Sequence, residues 1–192
     1  MSDNYTVTPI SIDDKILMDL SSANPLLRLE RNRDGNLVVM SPSGSKISNV
    51  QSKIISQLQH WNEKKVLGLI FDSQGGFKLP SGAVFAPDAA CVSLDAWNRL
   101  SELQQEGFAQ ICPEFVVEVI SPSDSLKQQQ EKMLEWLENG VQLGFLIHPK
   151  DEKAWIYKPN SEPQFFEHFD QTISGEPILV GFELDLSKLK LI

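Results

Sequence analysis

Two carboxylates sit where the pattern of the chain calls for apolar residues. In PEFVVEVISPSD (113–124) the alternation places Phe115, Val117 and Val119 on one face of a strand, and Val116, Glu118 and Ile120 on the other. Both faces are apolar enough to lie inside a sheet, so Glu118 is the odd residue. FAPDAACV (85–92) repeats the theme, because Asp88 shares a face with Ala90 and Val92. Pro87 cannot donate to a sheet ladder, which puts it at a strand start or an edge. Burying a lone carboxylate costs roughly several kcal/mol and drives it to take up a proton. If the two strands are neighbours, the two acids stand ~5 Å apart. Their repulsion is then relieved by a protonated acid, by a buried ion pair, or by a hard divalent ion such as Mg²⁺ or Mn²⁺ between them.

A cation is available on the next element. Lys132 lies on a helix expected over about 125–139, flanking an apolar arc of Leu126, Met133, Leu134 and Leu137 and next to Trp136. From that flank its ammonium can reach back to the sheet, where it would orient an attacking water and offset charge developing on a phosphate. Taken singly, Lys132 reads equally as a surface lysine, and each acid as half of a salt bridge.

Positioning these groups requires an α/β (α+β) fold. LLRLERNRDGNLVVM (26–40) is two alternating runs around Asp34-Gly35, a hairpin signal. After the SPSG loop, Ile47, Val50, Ile54, Ile55, Leu58 and Trp61 recur at helical spacing through about Lys65. Strands follow at 67–73 and 88–93, then a short helix and loop over 94–112 that could cover a site. Ser125 with Gln128 fits a capping box opening the later helix, and Gly140 closes it. Residues 141–148 and 153–158 read as a hairpin, and the tail as short strands and turns. No domain boundary is visible, so residues 1–192 are expected to form one domain with a core from about 26 to 189.

Composition narrows the rest. The chain has 192 residues, of which 41% are hydrophobic, enough for a sizeable core. No apolar run approaches the ~20 residues that span a bilayer. The polar, acidic MSDNYTVTPISIDDK stretch has no signal-peptide or transit character, so a cytoplasmic protein is expected, without a membrane partner. Cys91 and Cys112 suit two reduced thiols in or near the core. A net charge of −9 argues against a general nucleic-acid binder. The charge is uneven, at +1 over residues 1–66 and −10 over 67–192. Polyanion contacts would therefore come from Arg28, Arg31, Arg33, Lys46, Lys53, Lys64 and Lys65; a solvated mixed-charge surface explains the same residues.

Pro87-Asp88, then Glu118 in FVVEVISPSD, then Lys132 in EKMLEWLENGV resemble the Uma2 family, a branch of the PD-(D/E)XK nuclease superfamily. MSPSG (40–44), GGFKLPSG (75–82), GVQLGFLIHP (140–149) and GFELDLSKL (181–189) extend the likeness over most of the chain. The resemblance implies a restriction-endonuclease-like core, a central mixed sheet flanked by helices and preceded by an N-terminal hairpin and helix. It also implies an Mg²⁺- or Mn²⁺-dependent endonuclease that hydrolyses phosphodiester bonds, with DNA as partner and a homodimer as a frequent assembly. Asp88 and Glu118 would then hold the metal with the backbone carbonyl of Val119, and Lys132 would complete the catalytic set. In the standard E-x-K arrangement the lysine would stand at Ile120; in this family it has moved to the next helix. Two positions depart from the family pattern. Ser45, Lys46 and Ile47 replace Gly-Glu-His, and His148 stands where aspartate is common. Lys46 would weaken metal binding or contact phosphate, and His148 reads as a turn residue. A catalytically silent binding module with the same acids in a buried ion pair is the competing expectation, ahead of a plain structural domain.

Overall fold

The computed structural model describes residues 5–40 and 42–191, with no side-chain account of 5–10. The N-terminal MSDN and Ser41 of the SPSG loop, both used in the sequence reading, lie outside the described residues.

The chain opens with β1 (Tyr5–Ser11) and α1 (Asp14–Ala23), neither of which the sequence pattern announced. Asp13 caps α1, its carboxylate accepting the amide of Ile16 at 2.8 Å. The expected hairpin follows as β2 (Arg28–Arg31) and β3 (Asn36–Met40), and the expected first long helix as α2 (Ser45–Lys65). Next come β4 (Gly68–Asp72), two short strands, β5 (Phe77–Lys78) and β6 (Val84–Phe85), and β7 (Ala89–Ser93). Helices α3 (Leu94–Trp97) and α4 (Glu102–Gln105) lead to β8 (Phe115–Val119), α5 (Leu126–Asn139), β9 (Leu143–His148) and β10 (Lys153–Tyr157). The tail holds β11 (Gln164–Phe166), β12 (Thr172–Ser174), β13 (Glu183–Asp185) and a 3₁₀ turn, Leu186–Leu189.

The central sheet has six strands in the order β11-β10-β9-β8-β7-β4, and it is mixed. Only β8 and β9 are parallel, because α5 supplies the crossover between them; the other neighbours are antiparallel. A second sheet, β1-β3-β2-β6-β5, brings the hairpin alongside.

The two faces of β8 go to two different cores, as the alternation requires. Phe115, Val117 and Val119 pack with Ile47, Val50, Ile54, Leu58 and Trp61 of α2. Val116 and Ile120 pack with Met133 and Trp136 of α5, together with Phe77 and Phe85. Such a strand, covered on both sides, has no solvent face on which to place a charge.

Three sequence expectations need correction. Leu126 and Leu134 are 37% and 49% exposed, so the buried face of α5 runs through Met133 and Trp136 instead. Ser125 does stand at the N-cap of α5, but it makes no side-chain cap bond, and no capping box forms. The entry is held one turn earlier, where Asp124 accepts the amide of Ser121 at 2.7 Å and donates its own amide to the Ser121 carbonyl at 3.1 Å. Finally, the 98–112 segment covers no site. Ala109 is tied to Gly76 and Lys78 by backbone bonds of 3.0 and 2.8 Å, beside β5.

Phe115 anchors the α2 side. It is fully buried, with ring centroids 5.0 Å from Phe145 and 6.2 Å from Phe182. Phe115→Ala is expected to lower stability by about 3–5 kcal/mol, read as a drop in the urea midpoint.

Candidate active site

Strands β7 and β8 are neighbours, and their register pairs Ala89 with Val117 and Ala90 with Val116. One step further the ladder ends, and Asp88 comes opposite Glu118. Both carboxylates are buried, at 4% and 3% exposure. Asp88 occupies the end of the ladder with its side chain. Its Oδ2 accepts the amide of Val119 at 2.7 Å, a donor that β7 no longer pairs.

The other oxygen of Asp88 gathers groups from two distant elements. Nη1 of Arg28 on β2 lies 2.9 Å from Oδ1, and Nε2 of Gln51 on α2 lies 2.8 Å away. Arg28 is fixed in turn by donating Nη2 to the Ala86 carbonyl at 2.6 Å. Burial works against the guanidinium charge, but Asp88, Glu30 and Glu118 outweigh it and raise the Arg28 pKa.

Glu118 is held from α5. Lys132 Nζ is 2.9 Å from Oε1, and the indole N–H of Trp136 donates to the same oxygen at 2.8 Å. Lys132 and Trp136 are four apart, so one helix face delivers both. Lys132 is therefore no surface lysine. Its ammonium also donates to Glu30 Oε1 at 3.0 Å and sits 5.2 Å from the centre of the Phe85 ring. Glu30, itself 3% exposed, accepts the Ala86 amide at 2.9 Å. The sequence analysis named Arg28 only as a polyanion contact and gave Glu30 no role. Their signal was present, since positions 28 and 30 fall on one face of a strand whose other face carries Leu27 and Leu29.

Three acids thus face two fixed cations. Burial pushes the Glu118 carboxyl up to about 7, with Asp88 and Glu30 adding to the rise and Lys132 and Trp136 opposing it. For Lys132, burial favours the neutral amine, yet Glu118 and Glu30 prevail and hold the pKa above its ordinary value.

A cavity of about 330 Å³ opens onto these groups. Arg28, Asp88, Glu118, Val119 and Lys132 line it, with Ser43 and Gly44 at the start of α2 and the 121–124 loop across the mouth. Lys46 is absent from this lining; it borders a separate hollow with Ser45, Asn49 and Leu191. The helix instead turns Gln51 toward Asp88. His148 ends β9 and accepts the Asp151 amide at 3.2 Å, which makes it a turn residue as expected. Cys91 and Cys112 are free thiols whose pKa values burial pushes up to about 12.

Among the described residues, no three Asp, Glu, His or Cys side chains converge as a metal-binding group. The donor types nevertheless suit magnesium. That ion keeps several waters and is commonly held through one or two carboxylates plus substrate phosphate, so Asp88 and Glu118 in a hydroxyl-lined cavity are sufficient. The guanidinium on Asp88 is the group with which such an ion would have to share the oxygen.

The model of the Uma2 family, described as "Putative restriction endonuclease", matches residues 16–187. A crystal structure described as "a putative nuclease belonging to DUF820 from Anabaena variabilis ATCC 29413" superposes with a TM-score of 0.69 at 21% identity. The match covers 84% of this chain and 88% of that one, and at this identity it establishes the shared fold. No curated protein matches the chain.

The raised Glu118 pKa has a signed consequence. Between its ordinary value of 4.5 and about 7, the folded state holds a proton that the unfolded state releases. Stability is therefore expected to fall as pH climbs through that window, by on the order of 3 kcal/mol. Glu118→Gln removes this contribution. Urea midpoints of wild type and variant in chelator, compared from pH 4.5 to 7.5, should diverge in favour of the variant as pH rises.

Proposed function

Since the chain belongs to the Uma2 family, we propose that it is a metal-dependent endonuclease hydrolysing phosphodiester bonds, with DNA as the substrate. The observation that carries this reading is the meeting of Asp88 and Glu118 at the end of one strand ladder, with Lys132 bonded to Glu118 in the same cavity. Asp88 and Glu118 hold Mg²⁺ or Mn²⁺, joined by the backbone carbonyl of Val119. When bound, the ion supplies Lewis acidity and a water of lowered pKa.

The chain's own residues supply the rest. Glu30 and Phe85 fix the Lys132 ammonium, which orients the water and offsets charge growing on the phosphate. Gln51 and the Val119 amide keep the Asp88 carboxylate in one orientation. Arg28 presents a planar fork of donors to the cavity and can pass from Asp88 to a phosphate oxygen. The 1–192 chain acts as one cytoplasmic catalytic domain, and light scattering would test the homodimer. Among the described residues, no helix is long and apolar enough to cross a membrane.

One observation favours a second reading. Both carboxylates already have cationic partners, Arg28 at 2.9 Å and Lys132 at 2.9 Å, as a silent binding module with a structural ion-pair network would.

Cleavage assays separate the two. Single- and double-stranded DNA and RNA are incubated with Mg²⁺, Mn²⁺ or chelator. Cleavage of DNA is expected with metal, falling ~100-fold or more in Asp88→Ala and Lys132→Ala. Cutting that persists in both variants would place the activity elsewhere. No cutting, together with no heat on Mn²⁺ titration, would favour the silent module. Calorimetry also probes the guanidinium: Arg28→Gln should bind Mn²⁺ at least ~10-fold more tightly than wild type, because one competing positive charge is gone.

A further inference from the structure

The outer side of α2 carries a feature that the catalytic cavity does not use. At 100° per residue, Lys46, Lys53, His60 and Lys64 fall within an arc of about 40° and extend over about 27 Å of helix. Gln51, which reaches Asp88, points elsewhere. Beside this stripe a groove of about 580 Å³ separates α2 from the 3₁₀ turn. Ser52, Lys53, Gln57, His60 and Lys188 line it, and none of its lining side chains is acidic.

Asn49 lines both this groove and the hollow holding Ser45 and Lys46, so the two are neighbours on α2. In sequence that hollow begins one residue beyond Gly44, which lines the separate catalytic cavity. Lys46, Lys53 and His60 thus follow one another along α2, away from the end of the helix at which the cavity lies.

The charges along it are available. Among the described residues, Lys46 and Lys53 have no ion-pair partner. Lys188 is 3.5 Å from Asp185, an exposed contact of little strength, and Lys64 donates to His60 Nε2 at 2.9 Å. In a chain of net charge −9, a lysine stripe free of carboxylates orients an incoming polyanion, because the remaining surface repels it. No Phe, Tyr or Trp lines the groove, and its single ring, His60, is bonded to Lys64, so it is no stacking platform for successive bases.

We propose that this face of α2 is a track for the phosphodiester backbone of nucleic acid, which extends along it from the bond in the catalytic cavity. The inference rests on the nuclease reading. Contacts of this kind go to phosphate, so they hold the strand without reading its sequence. Each lysine that meets a phosphate adds about 0.7–0.9 to the slope of log affinity against log salt.

The test is fluorescence anisotropy with labelled 20-nucleotide single strands and duplexes, DNA and RNA, in EDTA so that nothing is cut. Lys46→Ala/Lys53→Ala/Lys188→Ala is compared with wild type and with Lys127→Ala, a change of an exposed lysine on α5. The triple variant should bind at least ~10-fold more weakly, to all sequences alike, with the salt slope reduced by about 2–3. Metal-dependent hydrolysis of bis(p-nitrophenyl) phosphate, too short to reach the track, should be unchanged.

Oligonucleotide affinity equal in the triple variant and Lys127→Ala overturns the track and leaves the nuclease reading standing. Wild-type protein that binds no nucleic acid in EDTA overturns the track, and the cleavage assay with metal then decides the nuclease reading. Loss confined to one base sequence overturns a backbone track, and so does competition by poly-glutamate as strong as that by DNA.

Discussion

The central constraint is the burial of Glu118. A strand covered on both faces leaves this carboxylate 3% exposed, in the wall of the cavity, so its charge has to be balanced largely from within the protein. The balance comes from an ammonium carried by the helix that leaves the same strand, and that ammonium needs Glu30 from the hairpin to hold its position. Asp88 repeats the logic with Arg28. Hairpin, first long helix, sheet and crossover helix are thus tied at one point by hydrogen bonds that none of them could satisfy alone. Removing one partner from such a network exposes the others to the full cost of a buried unpaired charge.

The charge arithmetic also links structure to chemistry. With Glu118 ionised, Glu30, Asp88 and Glu118 against Arg28 and Lys132 leave the cavity with one excess negative charge; with Glu118 protonated, as burial favours below about pH 7, the count is zero. A divalent ion alone would overshoot to one excess positive charge, and a phosphodiester would then bring the site to neutrality. The same fold without that arithmetic, with its acids fully neutralised by fixed cations, would serve as a scaffold only.

Much of this was legible in the sequence because two-residue periodicity is hard to mistake. The faces of β8, the Asp34-Gly35 hairpin and the apolar stripe of α2 follow from alternation and spacing, whereas the meeting of Asp88 with Glu118 was conditional on their strands being neighbours, as β7 and β8 are. What stayed hidden depends on which element packs where. Arg28 stood in the sequence as a polyanion contact and Glu30 without a role, because alternation does not show that their face of β2 meets Asp88, Ala86 and Lys132. Leu134 read as core, yet α5 rolls so that Trp136 can reach Glu118, and Leu134 is left in solvent. Lys46 was assigned to the cavity by its place in the chain, whereas the rotation of α2 presents Gln51 there. The missing Ser125 cap has the same origin, since the 121–124 turn had already satisfied the local backbone.

The backbone of one residue connects the two halves of the network. The carbonyl of Ala86 receives Arg28 and its amide is received by Glu30, so two oppositely charged side chains take their positions from the same residue. Position 86 thus separates what a residue is from what its backbone does. The Ala86 N–H is bonded to Glu30, so proline is excluded there, in a stretch that already places a proline at 87. Information about this site is stored in an atom that nearly every amino acid shares, and that kind of information a residue alphabet does not record.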